Sequence, residues 1–267
     1  MEIKKSITIG QFIPANSPIH HLDTRMKLLS AILFMVFVFM IENVYGYMIL
    51  LVFLIGVIFL SKIPIKYFIN GLKPILMLIL FTVIMQLFFT KGTNPPLIHF
   101  KFIYVYKEGI YAALFIFLRL LILVFSSSIL TLTSSPMQLT SGLEFILKPF
   151  KYIGLPTSEI SMMMTIALRF IPTILEETDR LIKAQSARGA NFETGSLFKR
   201  INNLIPILIP LFVSSFRRAD DLAIAMESRC FQVGAQRTHL KIMRFKWFDY
   251  VSFVFFMLAL GVISFYF

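Results

Sequence analysis

The sequence predicts an all-α polytopic membrane protein, with about five transmembrane helices and a cytoplasmic-side domain of about three helices. The 267 residues are 57% hydrophobic and include 30 Phe, which is more apolar surface than a soluble domain of this size hides in its core. Several apolar runs approach the ~20 residues that cross a bilayer. In contrast, residues 134–246 contain 15 of the 26 Lys and Arg residues, which is typical of a cytoplasmic segment.

The formal net charge of +12 does not indicate nucleic-acid binding. The basic residues alternate with long apolar runs and form no single polar patch with interleaved aromatic residues. Membrane topology accounts for them better. Residues 1–18 are polar and no cleavage-site pattern follows the first apolar run, so we expect the N-terminus to be retained. Cys230 is the only cysteine, which excludes an intramolecular disulfide and a multi-cysteine metal site.

The first two apolar runs, 28–41 and 47–60, flank a short segment whose glycine and polar residues favour a turn. They predict a helical hairpin. Each run is shorter than a full span, so we expect the helices to begin about a turn earlier, with Arg25 and Lys27 reaching the interface. One long buried helix is the alternative.

The next two spans are predicted over residues 72–90 and 109–133. Residues 91–108 between them predict a loop, in which residues 99–106 alternate enough to allow a short β-hairpin. The fourth span contains Arg119, which is costly in lipid unless it faces a polar partner or the bundle interior. Structural pairing within the bundle and a role in transport are both open at this point.

The basic residues also predict orientation. Four precede the first span and three follow the second, whereas the turn between those spans has none. The N-terminus is therefore expected in the cytoplasm, and four crossings return the chain there. This gives an N-terminal membrane domain at 1–133, a cytoplasmic domain at 134–246 and a C-terminal transmembrane helix at 247–267, whose end lies outside.

Apolar residues at steps of three and four predict three helices in the cytoplasmic domain. The first is a short amphipathic helix over about 139–150, suited to lying along the inner leaflet. The other two are long and run over about 160–188 and 196–229, the last with probable bends at Pro206 and Pro210. Their apolar runs, 160–175 and 204–216, are not interpreted as spans. The first contains Arg169 and Pro172, and the second is short and flanked by basic pairs.

Each long helix is predicted to end in a tripeptide in which a small residue stands on either side of an arginine. The two are Ala187-Arg188-Gly189 and Ser228-Arg229-Cys230. A cation near a helix C-terminus is favoured by the helix dipole, by roughly 0.3–1 kcal/mol, and this explains either arginine taken alone. The repetition of the pattern favours a second interpretation, in which the two tips are similar plugs presented to a partner.

These tripeptides, in this order and membrane context, resemble the transmembrane T component of energy-coupling factor (ECF) transporters. These are vitamin and trace-metal importers within the ATP-binding cassette (ABC) systems. That family carries Ala-Arg-Gly-like motifs at the ends of two cytoplasmic coupling helices, and Cys230 stands where the family usually has glycine. The stretch from Ser17 to Lys27 is similar to the family's approach to its first membrane helix, with Thr24 in place of the usual proline. The resemblance covers nearly the whole chain.

The resemblance implies a coupling subunit of the bacterial cell membrane whose two long coupling helices cross. Two ABC ATPase subunits are expected to dock beneath them, each receiving one arginine. A membrane-embedded substrate-binding S component is expected on the apolar upper faces. We assign six residues to that contact: Met163, Ile166, Phe170, Leu208, Leu211 and Phe212.

The sequence contains no GxxxxGK[ST] phosphate loop, so ATP and Mg are expected in the partner ATPases, with no cofactor or catalytic residue in this chain. His20, His21 and Asp23 could imitate a metal site, but solvent or interface roles are favoured. The acidic residues near 176–179 have basic neighbours four positions away and predict a solvated face. A polytopic membrane enzyme that grips a lipid phosphate through Arg119 and Arg169 and a non-transport membrane scaffold are the alternatives.

Overall fold

The computed structural model describes residues 12–41, 43–90, 98–100, 103–190, 192, 197–234 and 245–266. The described residues form two compact units. One, here called the bundle unit, lies within Ile9–Ile146 and Ile242–Phe267. The other, the two-helix unit, lies within Leu147–Lys241. The domain boundaries at 134 and 246 stay a prediction.

The bundle unit contains α1 (Pro18–His21), α2 (Thr24–Met40), α3 (Val44–Ser61), α4 (Ile65–Phe89), β1 (Ile98–Phe100), β2 (Ile103–Val105), α5 (Lys107–Thr133), α6 (Pro136–Leu147) and α9 (Trp247–Tyr266). The two-helix unit contains a 3-10 helix (Lys148–Ile153), α7 (Thr157–Ala187) and α8 (Leu197–Glu227). The predicted all-α class is confirmed. Two short strands pair antiparallel with Ile98 opposite Val105, in the loop where the sequence allows a short β-hairpin.

The bundle unit is organised around α5, which packs against α2, α3 and α4. Helix α3 supplies much of the core because its buried residues recur at steps of three and four along one face: Tyr47, Leu50, Leu54, Ile58 and Ser61. Ile122 on α5 and Val38 on α2 are fully buried in the same cluster. The backbone is extended at Ile41 and Asn43, which excludes one long helix and confirms the turn between the first two apolar runs.

Helix α4 begins earlier than the sequence predicts. The span was expected to start at residue 72, but α4 starts at Ile65, directly after Pro64, and continues through Pro74. The reason is packing on the first turn: Phe68 is buried and its ring lies edge-on to Phe125 of α5, with the centroids 6.2 Å apart. This burial supports a turn of helix in spite of the backbone hydrogen bond lost at Pro74.

Four of the described helices are long and apolar enough to cross a membrane: α3, α4, α5 and α7. The first three coincide with predicted spans. Helix α2 has 17 residues and α9 has 20, within or at the lower limit of the range for a span. Helix α7 is the least apolar of the four. Its apolar run, residues 160–175, is predicted to be interfacial or covered by a partner instead of crossing the membrane, and this stays a prediction.

The two-helix unit is built by the packing of α7 on α8. Three prolines lie inside these helices, Pro172 in α7 and Pro206 and Pro210 in α8, and both helices continue through them. Each proline removes one backbone N–H, so the carbonyl four residues earlier lacks its usual partner. Pro206 and Pro210 are predicted to bend α8, and the helix is continuous across both of them.

Candidate functional site

The tip of α7 ends in a Schellman motif. The Ala190 N–H donates to Gln185 O at 3.0 Å and the Gly189 N–H donates to Ser186 O at 3.0 Å, the six-to-one and five-to-two bonds of this C-cap. Gly189 takes the left-handed conformation that the motif requires, at φ +88°. Arg188 is the C-cap residue, one position beyond the last helical residue.

The tip of α8 repeats this geometry. The Phe231 N–H donates to Met226 O at 3.1 Å and the Cys230 N–H donates to Glu227 O at 2.9 Å. Cys230 is left-handed at φ +57° and thus occupies the same position in the motif as Gly189. Arg229 occupies the C-cap position of Arg188. The two tripeptides therefore present an arginine from the same backbone scaffold.

The left-handed position explains why glycine suits the third place of each tripeptide. A residue with a Cβ pays roughly 1–2 kcal/mol there, because the Cβ crowds the following carbonyl. Cys230 bears this strain, and it is an exposed free cysteine. Its departure from glycine changes the strain of the α8 tip without changing its shape.

Both arginines are exposed, as are the other four residues of the two tripeptides. The last carbonyls of a helix carry partial negative charge, which the arginine offsets only in part when its side chain extends into solvent. The guanidinium offers five N–H donors in a planar fork that matches carboxylate or carbonyl groups. Each tip is thus a short, cationic, donor-rich projection at the end of a long helix.

The apolar faces of α7 and α8 are partly exposed in the part of the chain that the structure describes. Of the six residues assigned to a partner contact, Met163, Leu208 and Phe212 are exposed to 58%, 46% and 61%, and Ile166, Phe170 and Leu211 are partly buried. The sequence predicts burial of the α7 face, whereas Met163 on this face is not covered by any of the described residues. Apolar patches of this kind mark contact with a protein or a membrane.

Two contacts that sequence reasoning missed connect the elements of the two-helix unit. Arg218 of α8 donates from Nη2 to Glu177 Oε2 of α7 at 2.7 Å. Near the α8 tip, the Gly234 N–H donates to Glu159 Oε1 at 3.1 Å, which ties the segment after the tip to the start of α7. Both partners are far apart in sequence, so no local pattern could have found them.

The acidic cluster of α7 is therefore only partly a solvated face. In the described part of the chain, its ion pair is the bond between helices from Glu177 to Arg218, and not the pairs within α7 that the four-residue spacing predicts. Helix-surface pairs of that kind contribute only roughly 0.2–0.5 kcal/mol, which is easily outweighed by packing.

The N-terminal stretch that carries the resemblance forms a joint in the bundle unit. Asp23 is the N-cap of α2, and its carboxylate accepts the Arg25 backbone N–H at 2.9 Å and pairs with the Arg25 guanidinium. The guanidinium lies 4.1 Å from the Phe245 ring centroid, within cation–π range. Thr24 is the first helical residue, the position at which proline is favoured because its missing N–H is not needed.

Asp249 completes this joint from the other end of the sequence. It is buried, and its two carboxylate oxygens accept the Lys246 N–H at 2.7 Å and the Asp23 N–H at 2.9 Å. The first bond caps α9 in the manner of a capping box. The second fixes the start of α9 to the start of α2, across 226 positions of sequence.

His20 also has a structural role. Its Nε2 donates to Ile13 O at 3.0 Å, and its Nδ1 lies 2.7 Å from the Ser17 hydroxyl, which donates to it when the ring is neutral. Burial lowers the pKa of His20 below its usual value, in keeping with a neutral ring at pH 7. Both ring nitrogens are thereby engaged, and no group of three metal-ligating side chains occurs among the described residues.

Arg119 is engaged inside the bundle. Its Nε donates to the Tyr47 hydroxyl at 2.8 Å, and the guanidinium lies over the Phe39 ring at 5.3 Å from the centroid. Tyr47 in turn donates to Val38 O at 3.0 Å. These contacts support structural pairing for Arg119, so the structure does not favour a phosphate-gripping role for it.

Comparison with known proteins agrees with the resemblance. The family model described as Cobalt transport protein (CbiQ) matches residues 15–240. The chain is 49% identical over 248 residues to the energy-coupling factor transporter transmembrane protein EcfT of Clostridium kluyveri, covering 93% of this chain and 92% of that protein. It is 48% identical over 256 residues to the EcfT protein of Thermosediminibacter oceani, covering 94% of each. It is also 46% identical over 243 residues to that of Lactococcus lactis, covering 91% of this chain and 90% of that protein. These matches show that the chain belongs to the family of energy-coupling factor transporter transmembrane proteins.

Proposed function

We propose that this chain transmits the ATP-driven motion of two cassette ATPases to a membrane-embedded S component that binds a vitamin or trace metal. The observation that carries the proposal is the repeated tip. Two long helices of one unit end in the same Schellman motif, each with an exposed arginine at the C-cap. Two equal tips suit two similar binding grooves, one on each ATPase.

Arginine suits this task because its charge is permanent and its fork can bind two oxygens at once. The Schellman motif fixes the backbone on both sides of the arginine. Less conformational entropy is then lost when the tip enters a groove. A force on the tip acts along a helix of 31 residues, which is a lever of about 46 Å at 1.5 Å per residue.

The S component is the proposed occupant of the open apolar faces of α7 and α8. Met163, Leu208 and Phe212 offer flexible and aromatic side chains, which suit a surface that accepts more than one partner. The residues that bind the ATPases and those that bind the S component are thus different. Movement of α7 against α8 would link the two surfaces.

The chain itself takes no chemical step in this proposal. It carries no phosphate loop of the GxxxxGK[ST] kind, so the ATPases bind ATP and Mg and hydrolyse the nucleotide. We also propose that the N-terminus and both tips are cytoplasmic, since the basic residues concentrate on that side.

Copurification tests this function. The tagged chain is coexpressed with its two candidate ATPases and an S component, and the complex is isolated in mild detergent. Arg188→Ala combined with Arg229→Ala should lose most of the ATPases and most substrate uptake, and each single variant should lose less. Arg217→Ala removes another exposed α8 arginine away from the tip and serves as the control. A double variant with a normal complex and normal uptake would overturn the proposal.

A further inference from the structure

The bundle unit has a groove of about 410 Å³ between α2, α3, α5 and α9. Its floor is buried and includes Phe34 and Leu54, each 3% exposed. Its rim is open: Leu60, Val251 and Phe255 also line it and are 54%, 47% and 68% exposed. All four helices are predicted spans, so the medium at the rim is the bilayer rather than water.

The charged groups of the groove lie at one end. Lys27 is in the first turn of α2 and Asp249 is in the first turn of α9. The Lys27 ammonium donates to Thr133 O, at the end of α5, at 3.0 Å, so three helix ends meet there. A second N–H of the ammonium donates to His20 O at 3.3 Å. The third N–H has no acceptor among the described residues. That N–H is available to a phosphate or ester oxygen.

The rest of the groove is mostly apolar, with hydroxyl groups at Ser30, Ser126 and Ser252, and is about one leaflet deep. Along α2 its lining runs from Met26 to Phe34, about 12 Å at 1.5 Å per residue. A hydrocarbon leaflet is about 15 Å thick, half of the ~30 Å core. The hydroxyl of Ser30 on this wall is already bonded to Met26 O and Lys27 O, so it makes no demand on an occupant. The groove therefore fits a molecule with one polar end and one apolar tail.

The volume and the polarity of the groove indicate its occupant. About 410 Å³ is within the range of small-molecule sites. One polar end and a long apolar wall match a lipid chain with its headgroup. We infer that the groove binds one acyl chain of a bilayer phospholipid, with the headgroup at the end formed by Lys27 and Asp249. The bound chain fills the space between α9 and the rest of the bundle unit.

Native mass spectrometry of the full chain in mild detergent tests the site, with palmitoyl-oleoyl phosphatidylglycerol as the added probe. The unmodified protein should retain one phospholipid per chain. Ala31→Trp fills the groove from α2 and should lower the lipid-bound fraction about tenfold, equivalent to 1.4 kcal/mol of binding free energy. Ile32→Trp adds the same bulk on a neighbouring exposed residue outside the lining, and should retain the lipid.

A second variant and a second readout guard against misfolding. Ser252→Phe fills the groove from α9 and should have the same effect as Ala31→Trp. In a Trp247→Phe background, Val57→Trp places the only tryptophan in the lining, and a brominated phospholipid should still quench it after dilution into detergent. Ile55→Trp, exposed outside the lining, should lose its quenching. Equal lipid retention by Ala31→Trp and Ile32→Trp, or equal quenching at positions 55 and 57, would overturn the inference.

Discussion

Arg218 of α8 reaches Glu177 of α7 at 2.7 Å, and this ion pair lies between the two helices that carry the arginine tips. The two side chains are 39% and 24% exposed, so solvent screens the pair, and its contribution to stability is roughly 0.2–1 kcal/mol. Its geometry matters more than its strength, because it fixes which turn of α7 faces which turn of α8.

Exchange of these two charges should be tolerated, whereas either single reversal should not. Glu177→Arg places two cations in contact, and Arg218→Glu two carboxylates, so each should lower the melting temperature and the yield of the complex. The double variant Glu177→Arg with Arg218→Glu should recover both. Arg217→Glu, on the neighbouring exposed residue, is the matched control for the change in charge. If the double variant is as impaired as the singles, the pair does not set the register of the helices.

Replacement of Cys230 by glycine should stabilise the α8 tip. The left-handed conformation at φ +57° costs a residue with a Cβ about 1 kcal/mol or more, and glycine avoids this cost. Hydrogen exchange of the amides at positions 230 and 231, which donate to Glu227 O and Met226 O, should slow about fivefold or more for that free energy.

The converse change provides the comparison. At Gly189 an added Cβ would meet no atom within 4 Å, so Gly189→Ala isolates the backbone strain and should speed exchange at positions 189 and 190. Gly56→Ala, in the middle of α3 and equally free of neighbours, should be neutral or stabilising because alanine favours a helix. Faster exchange in Cys230→Gly would contradict this account of the tip.

Loss of the Asp249 carboxylate should loosen the joint between α2 and α9. Asp249→Asn keeps one acceptor oxygen and breaks one of two part-buried hydrogen bonds to a carboxylate, and a bond to a charged group contributes about 1.5–3 kcal/mol. Asp249→Ala leaves both unpaired and should cost more. Unfolding followed by the fluorescence of Trp247, the first residue of α9, should show this order. Asp221→Asn, at an exposed site of α8, should leave the transition unchanged, and an equal loss in all three variants would refute the specific role of Asp249.

The predicted topology can be tested with the native cysteine. Cys230 is exposed and is expected in the cytoplasm, so a membrane-impermeant thiol reagent should label it in inverted membranes and not in intact cells. In a Cys230→Ser background, Asn43→Cys in the turn before α3 should show the opposite pattern. Labelling of Cys230 from outside intact cells would require a different number of crossings before α8.

The sequence predicts features that depend on short-range patterns. It does not predict contacts between residues that are far apart in the chain. Apolar runs located α3, α4 and α5, and the two small-Arg-small tripeptides located the tips, because helix ends and spans leave short-range patterns. The bonds from Asp249 to Asp23 and from Arg218 to Glu177 join residues 226 and 41 positions apart. No periodicity encodes such pairs. The early start of α4 was missed for the same reason, since it depends on Phe68 meeting Phe125.

The last prediction separates the two proposed docking surfaces. Met163 and Leu208 are exposed on the apolar faces of α7 and α8, so Met163→Asp and Leu208→Asp should fold but should place an unpaired charge in an apolar contact. Burial of such a charge is strongly unfavourable, and each variant should retain much less S component while keeping its ATPases. Arg188→Ala and Arg229→Ala should show the reverse. Asn202→Asp adds the same charge at an exposed polar position of α8 and should change neither. Since misfolding would remove both partners together, a parallel loss of S component and ATPases in all of these variants would mean that one surface serves both.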